Sequence, residues 1–288
     1  MARAEAGAQW EDVTVLAGEH RLAAGGHLIE CGGNGLYAGR GDGVAGPASR
    51  ARGEKVLRAW RDGPTRSRRG HLARADSAAP AGVGSPPFLH GRAFALIEAA
   101  YLGDALAGAE LLRPLRSLGA ELDTFATIAA PALARLHMDP EQPTPNVGDG
   151  ALLADFPAGA IDSLLALAGP AVDTPLQGIE IRHLGGALGR AAERGGAQPK
   201  IDAKYAILGG GVAPTPEIGE SVRAHVGALK HALASWHADY GYYNFVETPA
   251  GAEVVLASAS YQRLQRIKAS YDRDPMIISA HAGRPIGA

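Results

Sequence analysis

The sequence has 288 residues, 46% of them hydrophobic, and a formal net charge of −2 at pH 7. This length can bury one large core or two smaller ones, as in an ordinary soluble protein. No run approaches the roughly 18 apolar residues of a membrane helix, and the start lacks a secretory signal, so we expect a cytoplasmic protein without a membrane partner. A lone cysteine, Cys31, excludes an internal disulfide and a cysteine-based metal site.

The first part of the chain carries weak signals for regular structure. Residues 13–22 place two short apolar runs around a glycine, which predicts a hairpin. Residues 36–87 are rich in Ala, Arg, Gly, Pro and Ser, and hydrophobic periodicity is confined to 56–60. Such a segment buries too little apolar surface to offset the entropy of ordering its backbone. We therefore expect 36–87 to be poorly ordered.

Regular signals begin near residue 88. Residues 92–100 predict a buried strand, and Asp104 can cap a helix whose apolar stripe includes Leu111 and Leu115. The next predicted elements are a helix at 160–168, strands at 178–184 and 203–208, and a helix at 217–236. Because the strands look hairpin-like and polar on one face, the predicted fold class is α+β, a mostly antiparallel sheet with helices on one face.

An aromatic run, Tyr242-Tyr243-Asn244-Phe245, predicts a short strand at 242–246 that joins the same sheet. The period of two places Tyr242 and Asn244 on one face, so that a phenol and an amide face a ligand while the other face is buried. A helix and a closing turn with the pattern Lys-x-x-Tyr-Asp-x-Asp at 268–274 follow.

The Tyr-x-Asn strand and the closing turn resemble the carboxyl-terminal segment of the FAD-linked oxidases of the berberine bridge enzyme type. Residues 94–103, 136–141 and 180–187 resemble the substrate domain of the same family, in the same order and spacing. The resemblance implies four regions: 1–35, a remnant of the FAD-binding domain; 36–87, the poorly ordered segment; 88–240, the substrate domain; and 241–288, the berberine-like segment. It also implies a truncated form with weak or no activity.

The family's reaction is the oxidation of an alcohol or similar carbon centre, with hydride passing to the flavin. By resemblance, Tyr242 takes part in proton removal, and Tyr242 and Asn244 bind the ring edge of FAD. Arg182 and Glu180 lie on the substrate side. The alternatives are that Tyr242 and Asn244 only terminate a sheet, and that Arg182 and Glu180 pair on a solvated face.

Other candidate sites are weaker. The spacing of His137, Asp139 and Glu141 gives no convergent metal site, so no metal is expected. His27 and Cys31 lie in the wrong context for flavin attachment. An arginine cluster at 61–74 lacks interleaved aromatic residues, so nucleic acid is not expected as a partner. The resemblance implies a small-molecule substrate instead. A non-enzymatic α+β module for ligand binding or dimerisation, and an arginine-rich nucleic-acid-associated protein, stand as rival functions; the oligomeric state is not predicted.

Overall fold

The structure, a computed structural model, describes residues 34–38, 50–63, 68–75, 92–101, 103–120, 122–129, 131–132, 143–170, 172–191, 193, 195–248, 250–272, 276–277 and 281. The chain divides into two compact units, Met1–Thr144 and Pro145–Ala288. The division falls inside the expected substrate domain 88–240, and the four-region organisation stays a prediction. The hairpin at 13–22, His27, Cys31 and the loop with His137 lie outside the described residues.

The first unit contains a four-stranded antiparallel arrangement with the order β4-β1-β3-β2. Its described elements are β1 (Asn34–Ala38), α1 (Arg50–Asp62), β2 (Arg68–Ala75), β3 (Arg92–Ala99), α2 (Ala105–Arg116) and β4 (Leu122–Asp123). Strand β3 was predicted. The predicted cap of α2 is also confirmed, because the Asp104 carboxylate accepts a hydrogen bond of 2.9 Å from the backbone N–H of Ala107.

Helix α1 corrects the expectation of poor order at 36–87. Val56, Leu57 and Trp60 are 2%, 1% and 0% exposed, so one face of the helix is buried even though the flanking composition is polar. The Arg52 guanidinium also donates a 2.6 Å hydrogen bond to the backbone oxygen of Gly119. A single apolar stripe therefore orders residues 50–62, and strands β1 and β2 include residues 36–38 and 68–75. Apart from these residues and Gly63, the segment 36–87 lies outside the described residues.

The second unit contains a three-stranded antiparallel arrangement with the order β6-β7-β5. Its elements are β5 (Asn146–Leu153), α3 (Ala158–Ala168), β6 (Gly178–His183), β7 (Tyr205–Val212), α4 (Pro216–Ala232), α5 (Ala252–Val255) and α6 (Ser258–Tyr271), with short 3₁₀ helices at Ala234–Trp236 and Tyr243–Phe245. Helices and antiparallel strands together confirm the α+β class. Strand β5 was not predicted.

Helix α4 packs on β5 and β7 through the stripe that the sequence predicted. Its N-cap, Thr215, accepts a hydrogen bond from the backbone N–H of Ile218, and Val222, Val226 and Leu229 are at most 2% exposed. Leu233, at the C-cap, is fully buried. The helix thus covers one face of the sheet and leaves the other face for the carboxyl-terminal segment.

Candidate functional site around Phe245

The side chains of β6 alternate between the two faces of the sheet. Ile179 is 1% exposed and lies on the α4 face, near Gly209 of β7. Glu180 and Arg182 lie on the opposite face, as the sequence predicted from the period of two. This second face carries the candidate site.

Glu180 and Arg182 form an ion pair in which Arg182 Nε donates to Glu180 Oε1. The two side chains are only 15% and 13% exposed, so the pair does not stand on a solvated face. The Arg182 Cζ atom lies 4.6 Å from the centre of the Phe245 ring, a cation–π distance. Aromatic cover and a carboxylate partner together hold the guanidinium in one place.

Residues 242–246 do not form the predicted strand, and that prediction is wrong. Tyr243–Phe245 is a 3₁₀ turn in which the N–H of Phe245 donates a 2.8 Å hydrogen bond to the Tyr242 carbonyl oxygen. The turn buries Phe245 to 5% exposure and leaves Tyr243 43% exposed, whereas a strand would place both on one face. Gly150 of β5 leaves room for the Phe245 side chain, since a Cβ added at Gly150 would lie 2.9 Å from Phe245 Cβ.

Phe245 connects three of the four residues that the sequence singled out. Its ring contacts Arg182, which pairs with Glu180, and meets the Tyr242 ring edge-on at 5.0 Å between centroids. Asn244 is exposed on the outside of the turn. Sequence analysis missed Phe245 because the strand interpretation assigned it to a buried face without a partner. The signal that could have found it is the glycine-rich sequence of β5, because a strand with glycines leaves room for an aromatic residue to pack against it.

A long connection between β6 and β7 borders the cluster. Leu184, Ile201 and Ala203 pack against the core of Leu152, Ala206 and Phe245. The Tyr240 hydroxyl accepts hydrogen bonds from the Asp202 N–H at 2.9 Å and the Gln198 side-chain amide at 3.2 Å. The connection is therefore tied, through Tyr240, to the irregular segment that lies between the 3₁₀ helix Ala234–Trp236 and Tyr242.

The site carries two polar side chains from the 242–246 segment. Asn244 offers an exposed amide that both donates and accepts, and Tyr242 offers a phenol. In the part of the chain that the structure describes, no group of three or more His, Cys, Asp or Glu side chains is placed to hold a metal ion. None of the helices there has the length and apolar character that a membrane crossing requires.

The chain has the fold of solved berberine bridge enzyme-like proteins, so the resemblance drawn from the sequence is confirmed at the level of the fold. BBE-like #28 from Arabidopsis thaliana superposes with a TM-score of 0.64 at 13% identity, over 88% of this chain and 56% of that chain. Berberine bridge enzyme from Eschscholzia californica gives 0.61 at 9% identity, over 90% and 55%.

6-Hydroxy-D-nicotine oxidase from Arthrobacter nicotinovorans gives a TM-score of 0.60 at 18% identity, over 85% of this chain and 52% of that chain. The chain thus spans little more than half the length of the solved structures that it matches. No protein-family model and no curated protein sequence matches it. At these identities the likeness is one of fold, and activity is a separate question.

Proposed function

We propose that this chain is part of an FAD-dependent oxidoreductase that oxidises an alcohol or similar carbon centre of a small molecule, with hydride passing to the flavin. The observation that carries the proposal is the Phe245 cluster, which groups a phenol with a shielded ion pair in a fold shared with a protein named as an oxidase. Bound FAD supplies the two-electron acceptor, a chemistry that protein side chains lack.

Tyr242 and Asn244 belong to the cofactor side of this proposal. The Asn244 amide is exposed and binds the polar edge of the flavin ring. Tyr242 takes part in proton removal as its phenolate, whose oxygen accepts the proton that leaves the substrate hydroxyl. Glu180 and Arg182 belong to the substrate side. Their exposed fractions of 15% and 13% limit contact with a substrate to one edge of the pair, so the pair orients the substrate and does not enclose it.

The described residues account for the ring edge of FAD only. We assign none of them to the pyrophosphate or the adenosine, whose contacts supply a large share of the affinity for a dinucleotide. For contacts to the ring edge alone, we propose a dissociation constant for FAD no tighter than about 1 μM, equivalent to about −8 kcal/mol.

Titration of the purified chain with FAD tests the proposal. Binding should quench flavin fluorescence and shift the absorption bands at about 370 and 450 nm. A panel of alcohols added without oxygen should then bleach the 450 nm band of the bound fraction. No spectral change up to millimolar FAD, or bound FAD that no member of a broad panel reduces, would contradict the proposal.

A non-enzymatic module that dimerises is the second candidate, and exposed apolar residues on α6 favour it. Leu264, Ile267 and Tyr271 recur at spacings of three and four, and are 37%, 42% and 87% exposed. Under this candidate the chain sediments as a dimer that Ile267→Lys converts to a monomer, and FAD leaves the spectrum unchanged. A monomer at all concentrations excludes it.

A further inference from the structure

Asp149 lies on β5 between Gly148 and Gly150, on the strand that the sequence analysis missed. Its side chain is 12% exposed and accepts hydrogen bonds from three groups. Lys230 Nζ of α4 lies 2.7 Å and the Thr248 hydroxyl 3.2 Å from Oδ2, and the backbone N–H of Glu247 lies 3.2 Å from Oδ1. One carboxylate therefore joins a helix, a strand and the chain that follows the Phe245 turn.

A second carboxylate makes the reverse connection. Glu247 Oε2 accepts a 3.1 Å hydrogen bond from the backbone N–H of Gly148. Residues 247 and 248 are thus bound to β5 at two adjacent positions, although they form no strand there. Each of these hydrogen bonds involves an ionised acceptor, and such bonds are stronger than those between neutral groups.

These contacts act on the segment that carries the proposed flavin contacts. Only Val246 separates Glu247 from Phe245, and consecutive Cα atoms are about 3.8 Å apart, so a shift at Glu247 is passed to the turn with little slack. Phe245 is seated against Gly150, next to Asp149 on the same strand. The turn is consequently held on β5 by two sets of contacts: the Phe245 side chain against Gly150, and the hydrogen bonds of residues 247 and 248.

We propose that Asp149 is a positioning residue that fixes the 242–248 segment on β5, so that Asn244 and Tyr242 are presented to the flavin ring. This inference rests on the proposed function for its flavin part. Asp149 touches neither substrate nor cofactor; it acts through the Glu247 N–H and the Thr248 hydroxyl. Its ion pair with Lys230 holds α4 and is separable from that role.

Three variants separate the two roles of Asp149, the ion pair with Lys230 and the contacts with residues 247–248. Asp149→Ala removes all three hydrogen bonds, Asp149→Asn keeps an acceptor oxygen for the Glu247 N–H, and Lys230→Met removes the ion pair while leaving the 247–248 contacts in place. The circular dichroism of each variant is compared with wild type first, and Asp149→Asn replaces Asp149→Ala if the latter does not fold.

Hydrogen exchange of the Glu247 and Thr248 amides and FAD titration are then measured on the full chain. Asp149→Ala should speed exchange of the Glu247 amide by about tenfold or more, which corresponds to the loss of one charge-assisted hydrogen bond, and should weaken FAD binding by a similar factor. Lys230→Met should change both by less than about twofold, and Asp149→Asn should fall between them, since it keeps one acceptor.

Equal effects of Asp149→Ala and Lys230→Met, or unchanged exchange at Glu247 in Asp149→Ala and Asp149→Asn, would overturn the positioning role. So would faster exchange accompanied by undiminished FAD affinity. Absence of FAD binding to the wild-type chain is a different result: it contradicts the proposed function, and the anchoring of 242–248 then stands or falls on the exchange comparison alone.

Discussion

Leu229 of α4 packs directly over Gly209 of β7, so closely that a Cβ atom added to the glycine would lie 3.0 Å from Leu229 Cδ2. Gly211 lies two positions further on the same face, and a Cβ atom added there would lie 3.4 Å from Val222 Cγ2. The missing side chains let the helix approach the strand, and they explain why Leu229 is only 1% exposed although the strand below it is glycine-rich.

Leu229→Ala should destabilise the protein by about 2 to 5 kcal/mol, because it removes buried methyl groups and leaves a cavity above a strand that has no side chain to fill it. Urea denaturation measures the effect. Ile218→Ala is the matched control, since Ile218 lies on the same helix and is 40% exposed, and it should cost less. A loss below about half a kcal/mol for Leu229→Ala would mean that the helix is not packed in this way.

Gly150→Ala should destabilise by about 1 to 3 kcal/mol, because the new methyl group overpacks the seat of Phe245. Its Cβ would lie 2.4 Å from the Ile207 backbone oxygen and 2.9 Å from Phe245 Cβ, distances at which backbone must shift. Thermal unfolding provides the measurement. Gly227→Ala in α4, where a Cβ meets nothing within 4 Å, is the control and should stabilise by about 0.5 to 1 kcal/mol. Equal behaviour of the two variants would contradict the close approach.

His237 should make stability depend on pH below neutrality. Burial, and secondly the nearby Lys230 charge, lowers its pKa below the ordinary value of 6.5. The folded protein thus binds fewer protons than the unfolded chain, and the contribution of His237 is fully present above pH 6.5 and is lost as pH falls through the folded pKa. Its Nε2 atom is buried and meets no hydrogen-bond partner among the described residues.

We therefore expect wild type to lose more stability between neutral pH and pH 5 than His237→Gln, which cannot be protonated there. Urea denaturation at several pH values gives the difference between the two proteins. Carboxylates titrate in both proteins and cancel in that comparison. A difference that stays constant with pH would remove His237 as the cause.

Asn244→Ala should weaken FAD binding by about 1 to 3 kcal/mol if the amide binds the ring edge as proposed. Because Asn244 is exposed, the substitution should leave thermal stability nearly unchanged. Asn146→Ala, a second exposed asparagine of the same unit, serves as the control. Quenching of FAD fluorescence measures the FAD affinity of both variants. Nanomolar FAD binding that neither substitution affects would place the flavin site elsewhere.

The sequence was sufficient for the elements whose periodicity is strong and uninterrupted. The α4 stripe of Val222, Val226 and Leu229 and the alternation of β6 around Glu180 were both read correctly, because burial on one face imposes a regular period. The expectation that these strands share one mostly antiparallel sheet agrees with the antiparallel pairing of β6 with β7.

Strand β5 and the turn around Phe245 were not predicted for a shared reason. In both, glycine residues and contacts with distant parts of the chain outweigh the local sequence pattern. Gly148 and Gly150 lower the strand propensity of β5, because their role is to let other segments of the chain approach closely. The aromatic run around Phe245 has strand propensity, yet it forms a turn in which Phe245 packs closely against Gly150. Asp149 gives no sequence signal because its partners lie far along the chain.

That separation in sequence has a consequence for how the second unit forms during synthesis. Asp149 and Thr248, like Gly148 and Glu247, are 99 positions apart. Because synthesis proceeds at about 5 to 20 residues per second, these partners are synthesised about 5 to 20 seconds after β5. Until then the outer edge of β5 presents an unpaired backbone N–H at Gly148, open to strands of neighbouring nascent chains. Translation that stalls before Glu247 should therefore yield products that associate with one another, and slow codons after β5 should lower the yield of folded protein.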